Sequence, residues 1–263
     1  MDTIYSKDWL LGGLFIIMSF LFTRSFFSLF FMILLGLLIL VAFLKENNRL
    51  FVWMIVAFFL GNLLIGYADH FIGAAPLSPF SFVLISQLLW TIPILLITYV
   101  IKKFNKPTGC SYISLIRNSP IQITSHFTIS FYRLFYFILT LLLLSIILVL
   151  VIKAGEWTIV ELGFILLFSG LNSFLEEFLW RGILCTQFIR MSSERMGILL
   201  SSATYGLYTT MFGYSIKISV FYFLLGVLFG FVTVKSKSLL PSFFIHSIIT
   251  ILLLLLGWVV IPL

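Results

Sequence analysis

Long apolar stretches follow one another along almost the whole chain, separated by short polar connections. Each is close to the roughly 20 residues that an α-helix needs to cross the hydrocarbon layer of a membrane. Nine can be placed, and eight are equally defensible because only Thr23, Arg24 and Ser25 separate the first two. They lie at about 9–23, 26–44, 50–68, 80–101, 134–152, 158–180, 197–213, 218–234 and 239–261. The pattern predicts an all-α fold, a polytopic transmembrane helical bundle of eight or nine spans.

The composition excludes a water-soluble globular protein. Hydrophobic residues make up 62% of the 263 positions and charged residues 10%, whereas soluble domains have roughly 45–50% and roughly 25%. Polar residues are too few to cover a globule, so lipid has to cover the remaining surface. The length predicts a single transmembrane domain over residues 1–263. We expect no disulfide, because both cysteines, Cys110 and Cys185, lie in stretches assigned below to the cytosolic side.

Basic residues concentrate in alternate connections between the apolar stretches. Five lie in 102–133 and three in 181–196, whereas the connections near 69–79 and 153–161 carry few. Lys and Arg collect in cytosolic loops, so the pattern predicts a multi-pass protein of the cell membrane with its N-terminus in the cytoplasm. Membrane topology explains the basic residues, so we expect no binding to nucleic acid. The segment 102–133 either lies along the cytoplasmic interface or is a simple polar connector.

Two adjacent carboxylates, Glu176 and Glu177, interrupt the apolar run at 158–180. An acidic residue at the centre of a membrane helix costs about 2.5–3.5 kcal/mol, so two in succession need a reason. Arg181 follows Glu177 by four residues, a spacing that allows an ion pair on one helix face. Glu176 is rotated about 100° away from that pair and is suited to act as a general base. The alternative is that both glutamates are simply solvated where the span ends.

A histidine in the last apolar run favours the functional interpretation. His246 lies seven residues into the run at 239–261, which is about 10 Å from its cytoplasmic start. The two glutamates are expected at the same depth and on the same side of the membrane. A base and a hydrogen-bond donor from separate helices would then meet, as hydrolysis of an amide requires.

These residues resemble a known family. EEFLWR fits the EExxxR signature of the CAAX protease and bacteriocin-processing (CPBP, also called Abi) intramembrane proteases, which include the Rce1-type prenyl-protein endopeptidases. SLLPSFFIHSIIT is similar to the family's last motif, and SSATYGLYT to its middle FxxxH motif. The resemblance covers residues 158–255, which we expect to form a CPBP/Abi-like core.

The resemblance implies roles for the matching residues. Glu176 would be the general base that activates water, Glu177 with Arg181 would support the site, and His246 would stabilise the oxyanion or hold the water. Two positions depart from the pattern. Thr209 stands where the family has the middle histidine that helps position the water, and Thr250 stands where it has the asparagine that completes the oxyanion hole.

Three functions remain open on this basis. The first is an intramembrane glutamic-type endopeptidase that cleaves a peptide or membrane-protein segment in the cytoplasmic half of the bilayer. The second is a catalytically degenerate pseudoprotease that acts as a scaffold for a membrane protein partner or as a bacteriocin-immunity protein. The third is a small transporter, since prolines and polar residues lie within the spans. We expect no cofactor and no metal, because Glu176, Glu177 and His246 are the only plausible ligands and no HExxH is present.

Overall fold

The computed structural model of the protein describes residues 9–24, 29–44, 46–107, 120–124 and 127–258. The chain divides into two compact units, which are described separately. The first comprises Met1–Gly66, Thr91–Cys110 and Leu179–Phe231, and the second comprises Tyr67–Trp90, Ser111–Phe178 and Val232–Leu263.

Helices account for most of the described residues. The α-helices are α1 (Trp9–Arg24), α2 (Leu29–Leu44), α3 (Arg49–Gly73), α4 (Pro79–Leu88), α5 (Thr91–Lys103), α6 (Phe131–Ile152), α7 (Ile159–Glu177), α8 (Thr186–Met191), α9 (Glu194–Tyr208), α10 (Ile216–Ser236) and α11 (Leu240–Leu255). A π-helical segment, Phe178–Cys185, joins α7 to α8, and short 3-10 turns lie at Glu46–Asn48 and Thr209–Phe212.

The predicted fold class, all-α and polytopic, is confirmed. Within the described ranges, five helical stretches are long and apolar enough to cross a membrane, and three shorter apolar helices accompany them. The long ones are Arg49–Gly73, Pro79–Lys103, Phe131–Ile152, Ile159–Met191 and Ile216–Ser236. The predicted run at 197–213 corresponds to α9, which has only 15 residues before the 3-10 turn.

In the part of the chain that the structure describes, one β-hairpin adds to the helices. β1 (Pro120–Thr124) and β2 (Phe127–Ser130) pair in antiparallel fashion directly before α6. The segment 102–133 is therefore partly a folded hairpin rather than a simple connector, and its location along the cytoplasmic interface stays a prediction. Residues 108–119, with Cys110 and Arg117, lie outside the described residues.

In the first unit, α9 packs against α1 and presents small residues to α10. A Cβ atom at Gly226 would come within 2.9 Å of Ser202, and one at Gly230 within 3.0 Å of Ile198. Two helices can approach this closely only where one of them has glycine at the contact. The GxxxG spacing of α10 therefore allows it to pack against α9 of the same chain.

In the second unit, α7 packs against α11, which also packs against α6. Thr158 caps the start of α7, because its hydroxyl accepts from the Glu161 amide at 3.2 Å while the Glu161 carboxylate accepts from the Thr158 amide at 2.7 Å. An apolar cluster fills the part of the unit near that start and joins α4, α7 and α11. Its buried members are Val83, Phe164, Ile165, Phe168, Leu254 and Leu255.

A buried hydroxyl network fixes the turn from α10 into α11. Thr233 donates to Ser242 at 2.8 Å, and Ser242 donates to the Leu239 carbonyl at 2.9 Å. Ser236 accepts from the Ser238 amide at 3.2 Å, and Pro241 occupies the first turn of α11, where its missing N–H costs nothing. These contacts set the starting point of α11 and hence the position of His246 along it.

Candidate active site

The last two residues of α7, Glu176 and Glu177, differ in exposure. The Glu177 side chain is 1% exposed and that of Glu176 is 17% exposed. Consecutive helical residues point about 100° apart, so one carboxylate can be buried while its neighbour keeps access to the surroundings. An inner and an outer carboxylate therefore lie side by side at the end of α7.

The imidazole of His246, on α11, lies between the two carboxylates. Its Nδ1 is 2.9 Å from Oε1 of Glu177, a hydrogen bond, and its Nε2 is 3.7 Å from Oε2 of Glu176, within ion-pair distance. The ring itself is buried. The structure thus brings together three of the residues singled out in the sequence, from two helices of the second unit.

The hydrogen bond to Glu177 determines what the other ring nitrogen can do. Glu177 as a carboxylate is only an acceptor, so Nδ1 must carry the hydrogen. In the neutral imidazole, Nε2 is then an acceptor that lies beside Glu176. In the protonated ring, Nε2 is a donor to the same carboxylate. Either state places a proton-exchanging nitrogen next to the more accessible glutamate.

The chain after Glu177 departs from α-helical geometry. Phe178–Cys185 is π-helical, so its hydrogen bonds close over five residues and four residues no longer complete a turn. The spacing that predicted a Glu177–Arg181 ion pair assumed an α-helix, and that pair stays a prediction. In the first unit, the buried Arg181 guanidinium lies over two rings, 4.4 Å from the Tyr205 centroid and 5.0 Å from that of Phe229.

The two threonines at motif positions have different surroundings. Thr209, buried in the first unit, donates to the Gly206 carbonyl at 2.7 Å and lies 3.1 Å from the Ser219 hydroxyl. Thr250 is buried on α11 in the second unit, one helical turn beyond His246. The roles that the family resemblance implies for both positions remain expectations.

Two serines that the sequence analysis did not single out lie on the same helix as the glutamates. Ser169 and Ser173 precede Glu177 by eight and four residues, and both are fully buried. The spacing of four residues within an apolar helix could have identified them, because it places all three on one face. Within the described ranges, no group of three or more His, Cys, Asp or Glu residues is arranged to hold a metal ion.

Comparison with known proteins finds a family match in the part of the chain that carries these residues. No curated protein and no solved structure matches the chain. The match to a family covers both glutamates, His246 and both threonines, and it ends shortly before α11 does. The family resemblance of the sequence motifs is confirmed over this segment, since residues 157–252 match the family described as Type II CAAX prenyl endopeptidase Rce1-like.

Proposed function

We propose that this protein is an intramembrane endopeptidase in which Glu176 activates a water molecule for attack on a peptide bond. One observation carries the proposal. The buried His246 ring bridges the two neighbouring glutamates, with Nδ1 2.9 Å from Glu177 and Nε2 3.7 Å from Glu176. A family match to CAAX prenyl endopeptidases over residues 157–252 supports peptide-bond hydrolysis as the reaction.

The spacing of the two acceptors suits a bound water molecule. Oε2 of Glu176 and Nε2 of neutral His246 lie 3.7 Å apart. One water molecule can lie about 2.8 Å from both atoms at this separation, and can therefore donate a hydrogen bond to each. Such a water points its two hydrogens at the acceptors, which leaves its oxygen lone pairs free to face a substrate carbonyl carbon.

The proposed reaction conserves its protons. Glu176 takes a proton from the water as the water oxygen bonds to the carbonyl carbon, which gives a tetrahedral intermediate. The C–N bond then breaks while the proton passes from Glu176 to the leaving nitrogen. Products are a carboxylic acid and an amine, and Glu176 returns to its carboxylate form.

Glu177 serves as the positioning residue in this scheme. Its hydrogen bond to Nδ1 fixes the ring orientation and keeps Nε2 directed at Glu176, as a carboxylate does for a catalytic or metal-binding histidine elsewhere. The substrate we propose is a peptide or membrane-protein segment that reaches the site in the cytoplasmic half of the bilayer, with prenylated CAAX proteins and bacteriocin leaders as the two classes to test.

The test is cleavage by the purified protein in lipid nanodiscs, with membrane-anchored peptide reporters of both classes. Glu176→Gln keeps the shape of the side chain and removes its basicity, so we expect cleavage to fall by about 10²–10⁴-fold. Glu156→Gln is the matched control, because Glu156 is an exposed glutamate of the 153–158 connection that pairs with Lys153 at 3.2 Å. Full activity in Glu176→Gln would reject the mechanism.

The surroundings of Thr209 favour a second candidate, a pseudoprotease scaffold. Its hydroxyl has a single hydrogen, and the 2.7 Å hydrogen bond to the Gly206 carbonyl uses it. A threonine held in this way cannot exchange protons as a histidine does. If Glu176→Gln retains the full cellular function of the protein, the scaffold is the better description. Loss of that function with unchanged partner binding would favour the enzyme.

A further inference from the structure

Two buried hydroxyls lie on the face of α7 that carries the glutamates. Ser173 precedes Glu176 by three residues and Glu177 by four, so it lies one turn back along α7, in the direction between the two side chains. Ser169 lies one turn further back. Since His246 contacts both glutamates, this is the direction in which the candidate active site faces.

Neither hydroxyl has a hydrogen-bond partner in the described part of the chain, and both residues are 0% exposed. Serines and threonines in helices normally satisfy themselves by donating to a carbonyl of the preceding turn. Thr140 and Ser145 of α6 do so, at 2.8 Å and 2.9 Å. Ser169 and Ser173 donate to no such carbonyl among the described residues. A buried hydroxyl without a partner is costly.

The opposite helix offers further polar atoms at the same level. α7 and α11 run antiparallel, because Glu177 meets His246 while Phe168, earlier on α7, clusters with Leu254, later on α11. Ser173, one turn before Glu177 on α7, is therefore level with Thr250, one turn after His246 on α11. The Ser247 hydroxyl is also buried without a hydrogen-bond partner among the described residues.

We propose that Ser169 and Ser173 form a buried water-binding site that holds ordered water next to the carboxylate–imidazole cluster. Uncharged hydroxyls that both donate and accept suit water, and buried waters typically bind polar groups that would otherwise be unsatisfied. Side chains four residues apart on a helix are about 5–6 Å apart at Cβ, a gap that one water bridges. Ser173 lies one helical turn before Glu176, so water held on Ser173 can replenish the nucleophile beside Glu176. This role rests on the proposed function, whereas the water site itself does not.

The melting temperatures of Ser→Ala variants distinguish a hydroxyl that binds water from one that has no hydrogen-bond partner. If Ser173 binds water, Ser173→Ala loses hydrogen bonds, and we expect the melting temperature in detergent to fall by about 2–4 °C. If the hydroxyl is dry and unsatisfied, the same change removes a buried polar group and the melting temperature rises. The control is Ser145→Ala on α6, whose hydroxyl is satisfied by its own helix, with an expected change within about 1 °C.

Kinetics tests the link to catalysis. We expect Ser173→Ala to lower kcat about tenfold with KM unchanged, because only the placement of water is affected. Ser169→Ala, two turns from Glu177, should lower the melting temperature similarly but kcat less. A raised or unchanged melting temperature in both variants would overturn the water site.

The two proposals fail separately. If the wild-type protein cleaves no reporter but both Ser→Ala variants are less stable than the control, the water site stands and the endopeptidase does not. If Glu176→Gln abolishes cleavage but both Ser→Ala variants are at least as stable as the wild type, the endopeptidase stands and the water site does not.

Discussion

Glu176 and Glu177 are adjacent in sequence but have different surroundings, which separates their expected contributions to stability. Glu177 is almost fully buried and accepts a 2.9 Å hydrogen bond from Nδ1 of His246. Glu176 keeps part of its surface open and lies 3.7 Å from Nε2 of the same ring. A buried group bonded to a buried group is costly to remove, because the remaining partner loses its hydrogen bond without gaining water.

We therefore expect Glu177→Ala to lower the free energy of unfolding by about 1–3 kcal/mol. Glu176→Ala should lower it by less, because the Glu176 carboxylate keeps part of its surface open and lies 3.7 Å from the ring, beyond hydrogen-bond distance. Thermal unfolding of both variants in the same detergent measures the difference. Equal destabilisation by the two substitutions would show that the inner and outer glutamates are not distinct.

The sequence predicts which residues meet at the site but not how they pair. Two carboxylates and a histidine in apolar helices are expensive, so their presence indicated a shared location. The hydrogen bond between Glu177 and His246 was not predicted, because the sequence offered Arg181 at an apparently better spacing. A single serine in an apolar helix usually bonds to its own backbone, so only the four-residue spacing of Ser169, Ser173 and Glu177 indicates a polar face.

Among the elements, the contact between α9 and α10 depends on a glycine. A Cβ atom at Gly206 would lie 2.6 Å from the Ser219 carbonyl oxygen and 2.9 Å from the backbone nitrogen of Phe223. Both neighbours are backbone atoms of α10, so no side-chain rotation can relieve the overlap. The helices would have to separate, which disturbs the site of Thr209, whose hydroxyl bonds to the Gly206 carbonyl.

Gly206→Ala should destabilise the protein by about 1–3 kcal/mol through overpacking. Gly163→Ala on α7 is the matched control, because a Cβ atom there meets nothing within 4 Å. That change should raise stability by about 0.5–1 kcal/mol, the advantage of alanine over glycine within a helix. Melting temperatures of the two variants should shift in opposite directions, and an unchanged or raised melting temperature of Gly206→Ala would contradict the tight α9–α10 contact.

Helix positions were predictable from the sequence, whereas local departures from regular helix were not. Apolar runs of membrane length marked the helices because each must satisfy its own backbone in lipid. The π-helical segment after Glu177 and the hairpin before α6 have no comparable periodic signal. The sequence also did not predict that α9 is short. Its serines, threonines and glycines do not interrupt the apolar run at 197–213 enough to mark its end.

At the scale of the whole molecule, α6 is the helix best suited to cross the membrane, and the connections before and after it differ in charge. Phe131–Ile152 contains the most apolar stretch of the long helices in the described ranges, and little of it is buried. A helix with this composition that exposes most of its surface is expected to be covered by lipid there. We therefore expect the chain segments before and after α6 to lie on opposite sides of the membrane.

Labelling of single cysteines tests this arrangement and its predicted orientation. In a background with Cys110→Ser and Cys185→Ser, the reporters are Lys106→Cys, among the basic residues before α6, and Glu156→Cys, in the connection after it. Both native side chains are exposed. The excess of Lys and Arg before α6 predicts the cytosolic side, so a membrane-impermeant maleimide should label Glu156→Cys in intact cells and Lys106→Cys only after permeabilisation.

The outcomes of this labelling have distinct meanings. The reverse pattern would keep α6 as a span but invert the chain, and it would place the carboxylate–imidazole cluster in the outer half of the bilayer, away from a cytosolic substrate. Labelling of both positions from outside would contradict α6 as a span. Only the expected pattern lets a peptide from the cytosol reach Glu176 without crossing the hydrocarbon layer, and the choice of reporter substrates depends on that access.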